Sequence, residues 1–157
     1  MTPTLLVLRI SRRAIGATAL SDAGFTLADG RHLSSRPDRT VVAAANYVVK
    51  LVDLTHPTCV VVDAPPRVEG RTTARIVGGV EALAHARGIQ LLPVTKPDIL
   101  ATYARRGLRN RRELRDLIRQ FWPELARIAG RVEPYVIDAA AAALYAECRM
   151  TLEPQSG

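Results

Sequence analysis

The sequence predicts an α/β fold: one mixed five-stranded sheet with helices on both faces. Three short apolar segments come first, joined by connections too short for anything but antiparallel neighbours. Two more strand-like runs then alternate with helical patterns, and the last third of the chain is helical.

Leu5 to Ile10 is an apolar run with a single charge, Arg9, as expected of a central strand covered on both faces. Ala14 to Leu20 reads as a second strand. Ser21-Asp22-Ala23-Gly24 makes a turn, and Phe25 to Leu33 a third strand, with a bulge or turn expected at Asp29-Gly30. Val41, Ala45, Val48, Val49 and Val52 then fall at helical spacing, and that helix stops before His56-Pro57. Cys59-Val60-Val61-Val62-Asp63 is a buried strand ending in a carboxylate, and Ala64-Pro65-Pro66 cannot continue it. Thr72 to Arg87 is a helix closed by Gly88, with Gly78-Gly79 expected to allow close helix–sheet packing. Ile89 to Val94 is the fifth strand, and further helices are predicted at 97–105, 110–121 and 136–148. Right-handed crossovers place strand 4 beside strand 1 and parallel to it, with strand 5 outside. Residues 1–150 read as one domain and 151–157 as a frayed tail.

Composition narrows the function. At 157 residues, 48% hydrophobic and 24% charged, the chain has the balance of a globular domain with a sizeable core. No run reaches the ~18 apolar residues of a membrane span, and no secretory signal is evident, so a cytoplasmic protein is expected. Cys59 and Cys148 lack metal-ligand spacing, and both are expected in the core. His32, His56 and His85 are scattered, which argues against zinc, and Ser11 has no His/Asp partner for nucleophilic catalysis. The net charge of +7 draws the chain toward polyanions. Between Arg105 and Arg131 nine arginines face three acids, and Arg111, Arg115 and Arg119 form a stripe at i, i+4 spacing. With Arg12 and Arg13, just after the first strand, and with Arg105, Arg106, Arg109 and Arg112, they are the candidate phosphate contacts. Aromatic residues are scarce at 4%, so backbone contacts should dominate over base stacking.

The candidate chemistry sits where strands 1 and 4 meet the last helix. Carboxylates there can hold two divalent ions that activate water and stabilise a leaving phosphodiester oxygen. Position 9, Asp63 and Asp138 are the contributors. The order of elements, the Val-Val-Val-Asp63 strand end, the Ile137-Asp138-Ala-Ala-Ala-Ala-Ala-Leu144 helix and the Arg9-Ile-Ser-Arg-Arg-Ala-Ile-Gly16 stretch resemble the RuvC-type Holliday-junction resolvases of the RNase H-like superfamily. The segment Lys96-Pro97 to Tyr103, Gly107 and the Arg111-Arg112 helix ending in Phe121-Trp-Pro-Glu-Leu125 is similar to that family's region before its last helix.

The resemblance implies four acidic positions, of which two are kept, Asp63 and Asp138. Arg9 and Ala141 stand at the other two, and Ser11 replaces a glycine. It also implies Mg2+ or Mn2+ for an active enzyme, DNA as partner, and a two-fold homodimer. A cation at position 9 removes a ligand and repels metal ions, so two-metal hydrolysis is not expected and no cofactor is expected. Asp63 and Asp138 would be metal ligands only if a metal binds. Arg9 is instead expected to bridge Asp63 and Asp138 as a buried ion-pair network. A plainer reading has Asp63 capping a turn and Asp138 favouring a helix dipole. The function expected is recognition of branched or distorted DNA by a protein with an incomplete nuclease centre. Two other readings stay open on the residues: an active endonuclease in which Glu69 or Glu81 enters the site, and an interaction scaffold with no nucleic-acid role.

Overall fold

The computed structural model describes residues 4–34, 36–65, 71–103, 107–127 and 132–152. Strands β1 (Leu5–Ile10), β2 (Ala14–Ser21) and β3 (Gly24–His32) form an antiparallel meander. Helix α1 (Pro37–Thr55) leads to β4 (Cys59–Asp63), and α2 (Arg71–Ala86) to β5 (Gln90–Val94). Helices α3 (Lys96–Thr102) and α4 (Arg111–Phe121), a 3-10 turn (Pro123–Arg127) and α5 (Glu133–Leu152) complete the chain. The sheet order is β3-β2-β1-β4-β5, with β4 parallel to β1 and β5 parallel to β4, as the crossover rule required.

The pleat divides the core. Even residues of β1 (Leu6, Leu8 and Ile10) pack with α1 and α2, while Leu5 and Val7 face α4 and α5. In β4, Val60 and Val62 join the first layer, and Cys59 and Val61 the second. Arg9 and Asp63 continue the second set by the same period of two, and they are paired across the β1–β4 ladder. Side chains at these two positions must therefore meet beneath α4 and α5.

Helix α5 comes close because two glycines admit it. Gly16 and Gly30 face each other across β2 and β3. A Cβ at Gly16 would lie 2.1 Å from the Tyr135 carbonyl carbon, and one at Gly30 would lie 2.9 Å from Val132 Cβ. Asp138 lies one helical turn beyond Tyr135, over Arg9.

Several local expectations are corrected. The ladder irregularity lies between Ala19 and Leu20, opposite Thr26, whereas Asp29 and Gly30 pair regularly. The buried face of α1 runs through Thr40, Ala44, Tyr47, Val48, Leu51 and Val52, so Ala45 is exposed. Gly78 and Gly79 are exposed, a Cβ at either would meet nothing within 4 Å, and neither is a site of close packing. Cys148 is exposed, while Cys59 is buried and its thiol is pushed up to about 11 by desolvation. Helix α5 runs to Leu152, into the segment expected as tail.

Candidate functional site

Five side chains converge at the C-terminal ends of β1 and β4: Arg9, Asp63, Arg111, Arg115 and Asp138. Asp63 and Asp138 are 0% and 1% exposed, so their charges need partners. Arg111 donates to both oxygens of Asp63, Nη1 to Oδ2 at 3.0 Å and Nη2 to Oδ1 at 2.9 Å. Arg115 forks Asp138 in the same way, Nε to Oδ1 at 2.8 Å and Nη2 to Oδ2 at 2.7 Å. Arg9 lies between them, its Nε 3.4 Å from Asp138 Oδ2 and 3.9 Å from Asp63 Oδ2. Its Nη1 donates to the carbonyls of Ile10 and Asp63 at 3.3 and 3.4 Å. Fork geometry of this kind is the strong form of the carboxylate–guanidinium bond.

The expected bridge by Arg9 is present, but Arg9 is the weaker partner. The two stronger ones come from α4. That helix starts where it does because Asn110 caps it, accepting from the Glu113 amide at 3.0 Å, while Glu113 accepts from the Arg109 amide at 2.7 Å. Leu114 and Ile118 are the buried residues of α4. Arg111 and Arg115 each precede one of these by three positions, so their stems lie on the inward side of the helix. The hydrogen bonds that Arg115 donates to Asp138, opposed by desolvation, hold its guanidinium above its already high value.

The arginines expected as a phosphate-binding stripe thus separate into two groups. Arg111 and Arg115 are committed to the carboxylates, and Arg119 to Glu133, at 2.7 Å, and to Asp116, at 3.1 Å. Arg12, Arg13, Arg109 and Arg112 are exposed. Arg105, Arg106 and Glu69 lie outside the described residues. The sequence signal was Asn110-x-x-Glu113 as a helix start, which fixes where Arg111 and Arg115 fall against the leucine–isoleucine stripe but not that they turn inward.

The remaining expected positions carry other duties. Ala141 is buried among apolar neighbours, and its carbonyl accepts from the Tyr103 hydroxyl at 3.3 Å. Ser11 organises the β1–β2 turn: its Oγ donates to the Ala14 carbonyl and accepts from the amides of Arg13 and Ala14. Trp122, which ends α4, packs edge-on against Phe25, with ring centroids 5.4 Å apart.

Divalent ions need carboxylate oxygens with open lone pairs. Here all four oxygens of Asp63 and Asp138 accept from guanidinium groups. Among the described residues no three His, Cys, Asp or Glu side chains come together to hold a metal ion, so Glu81 does not complete a set with the two aspartates. This donor set does not fit a pair of metal ions. Three cations against two anions leave one positive charge in excess among the described residues of the cluster.

The fold is of the RNase H-like type seen in RuvC. The structure matches that of Thermus thermophilus RuvC with a TM-score of 0.72 at 15% sequence identity, over 94% of this chain and 96% of that one. It matches T. thermophilus RuvC in complex with a Holliday junction substrate at a TM-score of 0.70, again with 15% identity and the same coverage. The yeast mitochondrial Holliday junction resolvase Ydc2 matches at 0.56 with 10% identity, over 95% of this chain and 84% of that chain. At such identities the likeness is one of fold. No family model matches the sequence, and no curated protein matches it. No helix among the described residues is long and apolar enough to cross a membrane.

Proposed function

We propose that this chain is a RuvC-like protein that binds branched or distorted DNA through phosphate contacts and does not hydrolyse it by a two-metal route. The observation that carries this reading is the filling of the Asp63–Asp138 pair by Arg9, Arg111 and Arg115, at the place where the resemblance puts metal ions. A guanidinium stays charged at any working pH and cannot activate a water as a metal ion does. Mg2+ and Mn2+ therefore have no part in this reading.

The net charge of +7 and the exposed Arg12, Arg13, Arg109 and Arg112 support phosphate binding. Arg105 and Arg106 belong to the same proposal from their place in the sequence. Arg111, Arg115 and Arg119 leave it, because their donors are engaged. The fold is shared with a RuvC solved on a Holliday junction substrate, which favours a junction as the first ligand to try. A two-fold dimer enters the proposal from the resemblance alone.

The test is a labelled four-way junction incubated with the full chain in Mg2+, Mn2+ or EDTA. Binding should need no divalent ion and should weaken with salt, no strand should be cut, and Arg109→Glu with Arg112→Glu should weaken binding about tenfold. Cleavage that Asp63→Asn abolishes would overturn the reading in favour of an active nuclease. Absence of junction binding, or binding indifferent to salt, would favour a scaffold.

A further inference from the structure

Beside the carboxylate–arginine cluster a second feature stands apart from it. A cavity of about 690 Å³ opens at the C-terminal end of β1, and Arg12, Arg13, His32, Leu33, Thr72 and Tyr135 are among its walls. Its volume falls in the range of about 300–1,000 Å³ usual for small-ligand sites. Arg12 and Arg13 sit in the turn that follows Arg9, and Tyr135 lies one turn of α5 before Asp138, so the cavity borders the cluster without sharing its residues.

Its chemistry is one-sided. Among the described residues no Asp or Glu lines it. Arg12 and Arg13 are exposed, and neither guanidinium has a partner among the described residues, unlike those of Arg9, Arg111, Arg115 and Arg119. The turn that carries them is nonetheless fixed. Ser11 Oγ accepts from the amides of Arg13 and Ala14 at 3.2 and 3.1 Å, and the Leu33 amide donates to the Arg13 carbonyl at 2.8 Å. Helix α1 begins on the cavity wall at Pro37, with no side-chain cap. Leu33, His32 and Tyr135 also line the cavity, and the two rings are surfaces on which a base can lie.

Two guanidiniums without partners among the described residues, carried on a turn whose backbone is fixed, suit a phosphate, and the aromatic and apolar side chains suit what the phosphate carries. We infer that this cavity takes one nucleoside monophosphate unit, its phosphate on Arg12 and Arg13 and its base against Tyr135. A nucleotide held in a duplex must leave the stack to enter a concave site. The unit is therefore a free nucleotide or an unpaired nucleotide of a strand. In the strand form the inference deepens the nucleic-acid reading above; in the free form it stands without it.

Calorimetric titration of the full chain with deoxyadenosine monophosphate, deoxyadenosine and inorganic phosphate tests the site. A four-way junction carrying one unpaired nucleotide supplies the strand arm, with a fully paired junction as its control. The monophosphate should bind at least tenfold tighter than inorganic phosphate. Arg12→Ala with Arg13→Ala should weaken it at least tenfold, and these exposed positions leave folding intact. Tyr135→Ala should erase the gap between monophosphate and phosphate; because its backbone packs on Gly16, Tyr135→Phe, which should retain the gap, controls for misfolding. Preference for the junction with the unpaired nucleotide, lost in the double arginine variant, identifies a strand as the source; monophosphate binding without that preference identifies the free nucleotide. Monophosphate binding no tighter than phosphate, or unchanged in the double variant, overturns the inference. Such a failure with junction binding intact leaves the proposed function standing, and monophosphate binding without any junction binding does the reverse.

Discussion

The charge at position 9 organises the site only because two other arginines join it. Asp63 and Asp138 are buried and forked, so deleting one leaves uncompensated guanidiniums in a nearly dry place. Asp138→Ala should therefore cost about 3–5 kcal/mol in urea unfolding. Arg9 is the cation in excess, and Arg9→Met leaves two matched pairs, so it should cost under about 1.5 kcal/mol, as a volume-conserving change does. Equal losses for both variants would show that Arg9, not Arg115, carries Asp138. The cysteines give a second check at this scale. Alkylation requires the thiolate, and burial pushes the Cys59 thiol up to about 11, whereas Cys148 is exposed. One thiol per chain should react rapidly at pH 8, and the second only after denaturant is added. The folded chain also holds the Cys59 proton more tightly than the unfolded one. Stability should thus fall as pH rises from about 8.5 toward the folded value of about 11. Position 9 was legible in the sequence because a charge inside an apolar strand demands an explanation. Arg111 and Arg115 were not, because a cation beside an apolar stripe reads equally well as solvated or as reaching inward. Only the depth of α4 against β1 and β4 decides between the two.

Among the elements, α5 is the one whose placement makes the cluster, and Gly16 is what lets it approach. In Gly16→Ala the new methyl would meet Tyr135 backbone atoms at 2.1 to 2.2 Å, which no rotamer change relieves. A loss near the top of the ~1–3 kcal/mol seen for overpacking is expected. Gly78→Ala is the opposite case: it sits exposed in α2 with open space around it, and should stabilise the chain by about 0.4–1 kcal/mol. Thermal melts of both variants check these signs. Strand order and direction were readable from connection length and apolar periodicity. The face of α1 was not, because valines and alanines surround that helix and its inward residues include Thr40 and Tyr47. Tyr47 is held there by a hydrogen bond to Asp29 on β3, at 2.8 Å, a partner that periodicity cannot supply.

At the scale of the whole molecule, the sheet gathers its chemistry at one end. The C-terminal ends of β1 and β4 hold the ion-pair cluster, and the β1–β2 turn holds the basic cavity. A positively charged chain with exposed arginines there should bind duplex junctions with an affinity that falls with salt, by about 0.9 in log K per log unit for each phosphate neutralised. The slope measured by fluorescence anisotropy should shrink by about one for each of Arg109 and Arg112 replaced by Ala, and stay unchanged in EDTA. A slope that responds to Arg119→Ala instead would mean that the Glu133 pairing opens on DNA.

Because the groups that fill the Asp63–Asp138 pair are part of the polypeptide, the centre is complete once the chain has folded. In the proposed function it has no loading step and no competition among ions for occupancy. On that reading, scarcity or excess of metal in the surroundings leaves the filled centre unchanged.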